Sequence, residues 1–121
     1  MEKKDVILQF IRKGFYGLEK ESLRVTPDGF LADTAHPFGN NPNIERDFCE
    51  NQTELITDVW DCAEFAWEQL KKLQEQVVGI LQTRETGEEL LWPFSNPPYV
   101  RSESEIPIQT RAKKRDSDEQ P

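Results

Sequence analysis

The sequence predicts an α+β chain, with helices covering one face of a sheet. Three observations carry this. Phe15 to Val25 has strand character and ends in the turn signature Thr26-Pro27-Asp28-Gly29, where proline presets one dihedral and glycine accepts the left-handed one. Glu54-Leu55-Ile56-Thr57 combines apolar and β-branched residues, as strands do. Asp58 to Arg84 carries an apolar stripe, Ala63, Ala66, Leu70, Leu73, Val77, Ile80 and Leu81, at helical spacing.

Asp5 to Lys13 reads as a first helix, with Val6, Ile7, Phe10 and Ile11 on one face and Gly14 as its stop. In the strand that follows, Leu18 and Leu23 are an odd number of residues apart, so strict alternation fails. A strand buried on both faces, or a bulge, accounts for that. Phe30-Leu31-Ala32 reads as a short returning strand, which makes a β-hairpin. Asp33 to Asn43 is a loop rich in Pro, Gly and Asn. Asp58 or Asp61 is placed to cap the long helix, and Phe65, Trp67 and Val78 widen its apolar stripe. Gly87 to Val100 reads as an aromatic loop whose prolines forbid a central strand.

With 121 residues the chain holds one domain at most. Residues 1–108 carry every apolar pattern. From Gln109 to Pro121 only Ala112 is hydrophobic, so 109–121 is expected to be a disordered, charged tail. Net charge is −8, which disfavours nucleic acid and anionic membranes as partners. The short basic block Lys113-Lys114-Arg115 is too weak a signal to reverse that. The absence of a signal-like N-terminus and of a long apolar run gives a cytoplasmic expectation. The two cysteines, Cys49 and Cys62, have no zinc or redox spacing and are expected as free thiols. His36, the only histidine, has no Cys/His cluster around it and is expected to be solvated or packed.

Two acidic stretches stand out. Glu19 and Glu21 lie two apart in the first strand, so they project to one face roughly 7 Å from each other. That spacing is awkward for sharing a proton. It suits two carboxylates gripping different parts of a metal cluster, whose ions sit about 3.5–4 Å apart. An ordinary solvated strand face has the same pattern. In the second stretch, Asp47, Glu50 and Glu54 are spaced by three and four. This puts them on one side of a helical turn, although the Leu-Ile-Thr that follows argues for a strand.

Taken together, Gly17-Leu18-Glu19-Lys20-Glu21-Ser22-Leu23-Arg24-Val25, Gly29-Phe30-Leu31-Ala32, His36-Pro37, Asp47-Phe48 with Glu50 and Glu54-Leu55-Ile56-Thr57, and Leu91-Trp92-Pro93-Phe94-Ser95-Asn96-Pro97-Pro98 closely resemble the start of bacterial glutamate–cysteine ligases. They equally resemble the same region of the bifunctional glutathione synthetase fusions. The resemblance runs from about Phe15 to Ile108. It implies part of a glutamine-synthetase-like fold, a curved, mostly antiparallel sheet with helices packed on one face. It implies ATP- and Mg²⁺-dependent formation of γ-glutamylcysteine from L-glutamate and L-cysteine through a γ-glutamyl phosphate, the first step of glutathione biosynthesis. It implies Glu19, Glu21, Asp47 and Glu54 as ligands of Mg²⁺ (or Mn²⁺), with ATP as co-substrate. Glu50 corresponds to an acidic position near the site, in an unassigned binding role.

A hard cation that bridges phosphate oxygens calls for carboxylates, and strands hold them more rigidly than loops. The resemblance assigns no catalytic residue here. The family's module is several times longer, and its later His-containing strand, cysteine-binding aromatics and phosphate-binding basic residues have no counterpart in this chain. The expectation is therefore an incomplete catalytic domain over 1–108 that is inactive alone. The alternative is a non-catalytic Mg²⁺- or nucleotide-binding remnant, or a modulator of the full-length enzyme.

Overall fold

A computed structural model describes residues 2–108. Its elements in order are α1 (Lys3–Arg12), β1 (Glu19–Val25), β2 (Ile44–Arg46), β3 (Gln52–Ile56), α2 (Ala63–Gln82), β4 (Leu90–Leu91) and a 3-10 turn over Glu103–Glu105. The strands form one four-stranded sheet in the order β2-β3-β1-β4. Every pairing is antiparallel. The expected α+β class, with an antiparallel sheet and a helix on one face, is observed. The expected tail, 109–121, lies outside the described residues. Among the described residues no helix is long and apolar enough to cross a membrane.

The core lies between α2 and the sheet. Leu73, Val77 and Leu81 of α2 pack with Ile44 of β2, Leu55 of β3 and Phe38 of the preceding loop. Leu70, Ile80 and Leu91 border this cluster. The register explains the choice of side chains. Leu55 lies opposite both Ile44 and Lys20, so all three share the helix-facing side of the sheet. Lys20 completes its reach there by donating from Nζ to Gln74 Oε1 of α2 at 2.8 Å. The alternate residues of the same strands therefore lie on the opposite, open face.

Burial rises along β1, from exposed Glu19, Lys20 and Glu21 to fully buried Arg24 and Val25. The failed alternation is thus a strand covered on both faces at its C-terminal end only. Below the sheet, Arg24 meets the Glu89 carboxylate, donates from Nη1 to Thr34 Oγ1 at 2.7 Å and from Nη2 to the Thr34 carbonyl at 2.6 Å. Arg84 donates to the other Glu89 oxygen at 2.8 Å. This buried ion network ties β1, the loop at Thr34 and the segment between α2 and β4 together.

Several local expectations are corrected. Phe30–Ala32 is not a strand. It meets β1 only at the Val25–Leu31 bridge and the Ala32 N–H to Arg24 carbonyl bond, because β3 occupies that edge of β1 from Glu19 to Leu23. Leu90–Leu91 inside the expected loop is a short edge strand on Arg24 and Val25, ending before Pro93 as proline requires. Cys62, not an aspartate, stands at the N-cap of α2 and makes no side-chain cap bond. Asp58 instead accepts from Gln69 Nε2 and from Asn43 Nδ2, and Gln69 Oε1 accepts from the Asp58 N–H and Trp60 Nε1. Phe65 and Trp67 do not widen the buried stripe. They are 54% and 55% exposed, and the ring of Phe65 meets Trp60 edge-on at 5.8 Å. Cys49 and Cys62 are free thiols, as expected.

Candidate functional site: an acidic sheet face

The open face of the sheet carries the acidic residues. Glu21 of β1 lies directly opposite Glu54 of β3, and Glu54 lies opposite Glu45 of β2. Residues opposite each other in an antiparallel pair share a face, with Cβ atoms about 4.5–5.5 Å apart. Glu21, Glu54 and Glu45 therefore form a row across three adjacent strands. Glu19, two residues before Glu21, projects to the same side. Asp47 follows β2 and keeps strand pairing through its N–H to the Gln52 carbonyl at 3.2 Å. Two residues beyond Glu45, it also faces this side, and its carboxyl comes within hydrogen-bonding reach of Glu21. Gln52 Nε2 donates to Glu21 Oε1.

The electrostatics follow from this crowding. The Glu54 carboxyl is held above its ordinary value of 4.5, first by desolvation between its neighbours and then by repulsion from Glu19, Asp47, Glu21 and Glu45. Glu21 is raised in the same way, by desolvation and then by Asp47, with Gln52 acting in the opposite direction. Among the described residues no salt bridge reaches these carboxylates. The nearby cations Lys20 and Arg46 are engaged elsewhere, with Gln74 and Glu50.

In donor chemistry the set fits a hard divalent cation: oxygen ligands, negative charge and rigid strands. Among the described residues no three His, Cys, Asp or Glu side chains are gathered closely enough to hold an ion.

Two sequence expectations change here. Ile44 to Val59 is a strand, a turn and a strand, so Asp47, Glu50 and Glu54 do not share the side of a helical turn. Glu50 leaves the acidic face. It is buried below the sheet, where its Oε1 accepts from Arg46 Nη1 at 2.8 Å and from the His36 N–H at 3.1 Å. His36 is packed against Phe38, ring to ring edgewise at 5.1 Å. Burial, and then the charges of Arg46 and Arg24, push its pKa below the ordinary histidine value. Sequence reasoning also missed Glu45. The available signal was Glu45-x-Asp47, the same alternation as Glu19-x-Glu21.

A row of mutually repelling carboxylates predicts that the chain is destabilised by this face. Glu54→Gln is expected to stabilise it by about 0.5–1 kcal/mol at neutral pH, the scale of a like-charge cross-strand pair. For a domain of this size that is roughly 2–8 °C in Tm. The sign follows from linkage. The penalty of Glu54 is full above its raised pKa and gone below its ordinary 4.5. The gain should therefore fade as pH drops into that range. Thermal melts at neutral and acidic pH check this, and a Glu54→Gln variant less stable than the parent at pH 7 contradicts it.

The fold is thus an antiparallel sheet backed by α2, with acidic residues of two sequence stretches on its open side. The glutamate-cysteine ligase family model matches residues 2–119, and the chain belongs to that family. It is 43% identical over 112 residues to the glutathione biosynthesis bifunctional protein GshAB of Listeria innocua, covering 88% of this chain and 14% of that protein. It is 40% identical over 103 residues to the glutamate–cysteine ligase of Clostridium acetobutylicum, covering 81% of this chain and 20% of that one.

Among solved structures, a bifunctional glutathione synthetase from Pasteurella multocida superimposes with a TM-score of 0.72 at 33% identity, covering 91% of this chain and 15% of its own. The glutamate–cysteine ligase of Francisella tularensis, in complex with AMP, gives 0.60 at 32% identity, covering 76% and 18%. The fold is thus the one these ligases share, the glutamine-synthetase-like class that the resemblance implied. The chain spans between a seventh and a fifth of these relatives.

Proposed function

We propose that this chain is the part of a glutamate–cysteine ligase that supplies the cation-holding face, with Glu19, Glu21, Asp47 and Glu54 as ligands of Mg²⁺ or Mn²⁺. The observation that supports this most is the convergence of β1 with the segment from β2 to β3, which brings carboxylates from two distant stretches onto one open sheet face. The reaction of the whole enzyme is the ATP-dependent joining of the γ-carboxyl of L-glutamate to the amine of L-cysteine, through a γ-glutamyl phosphate. When bound, the divalent cation neutralises phosphate oxygens and lets two anions approach.

The residues of this chain contribute geometry and charge. β1 and β3 hold Glu21 and Glu54 at a fixed cross-strand spacing. The pairing of Asp47 with Gln52 holds a carboxylate beside them. Desolvation, and then the neighbouring carboxylates, hold the Glu21 and Glu54 carboxyls above their ordinary range, and a cation would offset both. A nucleotide partner is supported by the AMP in the Francisella tularensis ligase structure. A cytoplasmic location is proposed from the likeness to bacterial glutathione-biosynthesis enzymes.

On its own the 121-residue chain is proposed to bind Mg²⁺-ATP without turning it over, which is also how the non-catalytic, modulating reading would present. An assay of γ-glutamylcysteine formation with ATP, Mg²⁺, glutamate and cysteine should give no product above background. Calorimetry with Mg²⁺-ATP should give heat that disappears in Glu19→Gln. Turnover by the isolated chain overturns the inactive assignment. A folded sample that gives no heat overturns the cation-face assignment.

A further inference from the structure

We infer that Glu50, with Arg46 and Arg24, is a positioning residue for Asp47, gripping from below the sheet the turn that carries Asp47 above it. This rests on the reading of Asp47 as a cation ligand.

The turn between β2 and β3 is held at both its main chain and its side chains. The Glu50 carbonyl accepts from Arg24 Nη2 at 3.0 Å, and the Glu50 N–H donates to the Pro107 carbonyl at 2.7 Å. The next residue, Asn51, is fully buried. Its carbonyl accepts from the Arg24 N–H at 2.8 Å, and its Nδ2 donates to the Ala32 carbonyl at 2.8 Å. The Glu50 carboxylate then reaches back four residues to Arg46 Nη1 at 2.8 Å.

Arg46 and Asp47 are consecutive in extended, paired backbone, so their side chains leave on opposite faces. Pinning the Arg46 guanidinium below fixes the peptide plane from which Asp47 projects above. The pair is also largely shielded, at 26% and 10% side-chain exposure, so it is a firmer anchor than a surface ion pair. Arg24 is itself held by Glu89, so the grip is continuous with the buried network. A purely structural anchor would lower stability without acting specifically through Asp47, and that difference is measurable.

The test titrates Mn²⁺ into the full chain and into Glu50→Gln, Asp47→Asn and the double variant, with thermal unfolding recorded in parallel. Positioning partners of ligands typically change metal affinity 10–100-fold. Glu50→Gln is expected to weaken Mn²⁺ binding about 10-fold at temperatures where the variant is fully folded. In the Asp47→Asn background the same change should cost little more, because its effect passes through Asp47. If Glu50→Gln does not fold, Arg46→Met, at the more exposed end of the pair, is expected to show the same loss and the same dependence on Asp47. Mn²⁺ binding by the parent with an unchanged affinity in folded Glu50→Gln or Arg46→Met overturns this inference alone. So does a loss that repeats in full without Asp47. No Mn²⁺ binding by the parent overturns both this inference and the cation-face reading beneath it.

Discussion

Glu89→Leu is expected to unfold the chain or leave it barely folded. Glu89 is 4% exposed and its two carboxylate oxygens meet Arg24, which is wholly buried, and Arg84. Burial lowers the pKa of the Arg24 guanidinium and Glu89 pulls it back, so the pair is what keeps a buried positive charge tolerable. Removing one partner of a buried pair typically costs about 3–5 kcal/mol, because the other charge is left uncompensated. Small domains have about 5–15 kcal/mol in total, and this one has a modest core. Urea unfolding followed by circular dichroism should show the midpoint collapse. The double change Arg24→Met with Glu89→Leu should cost less than Glu89→Leu alone, since it removes the more deeply buried of the two stranded charges and leaves only Arg84. A Glu89→Leu variant within about 1 kcal/mol of the parent contradicts this account.

This network also shows where sequence reading reached its limit. The long helix was legible because a 3.6-residue period sustained over many turns has one structural meaning. The Glu19-Glu21 pair was legible because alternation within a seven-residue strand fixes a face. Neither signal exists for β2, three residues after a proline-rich loop, or for β4, two residues before a Trp-Pro. Glu45 was therefore legible only through its alternation with Asp47, with no strand signal to place it in the row. Glu50 was grouped with Asp47 and Glu54 by a spacing that the intervening turn reverses. Arg24 and Glu89 are 65 positions apart, and only the β1–β4 pairing brings them together. Phe65 and Trp67 followed the helical pattern closely enough to be counted as core. Burial depends on what lies opposite a side chain, and Phe65 and Trp67 remain more than half exposed on α2.

The second large effect concerns the acidic face. Replacing Glu21 and Glu54 together by Gln leaves the cross-strand geometry in place but removes the central charges of the row. Divalent-cation affinity depends steeply on ligand charge, and even partners that only support a ligand account for 10–100-fold. The double variant is expected to lose at least about 100-fold in Mn²⁺ affinity. Its Tm without metal should rise, as for Glu54→Gln alone. Opposite movements of affinity and stability are what separate a cation site from a strand face that merely keeps the protein soluble.

The most direct measurement is a map of where the cation sits. In ¹⁵N-labelled chain, substoichiometric Mn²⁺ broadens amides near the ion by paramagnetic relaxation. Broadening strongest at Glu19–Glu21, Glu45–Asp47 and Gln52–Glu54, weaker in α2 behind the sheet, and absent in the Glu21→Gln, Glu54→Gln variant, is the predicted result. Broadening spread over the acidic surface at large, or unchanged in that variant, contradicts the assignment of this face as the cation site.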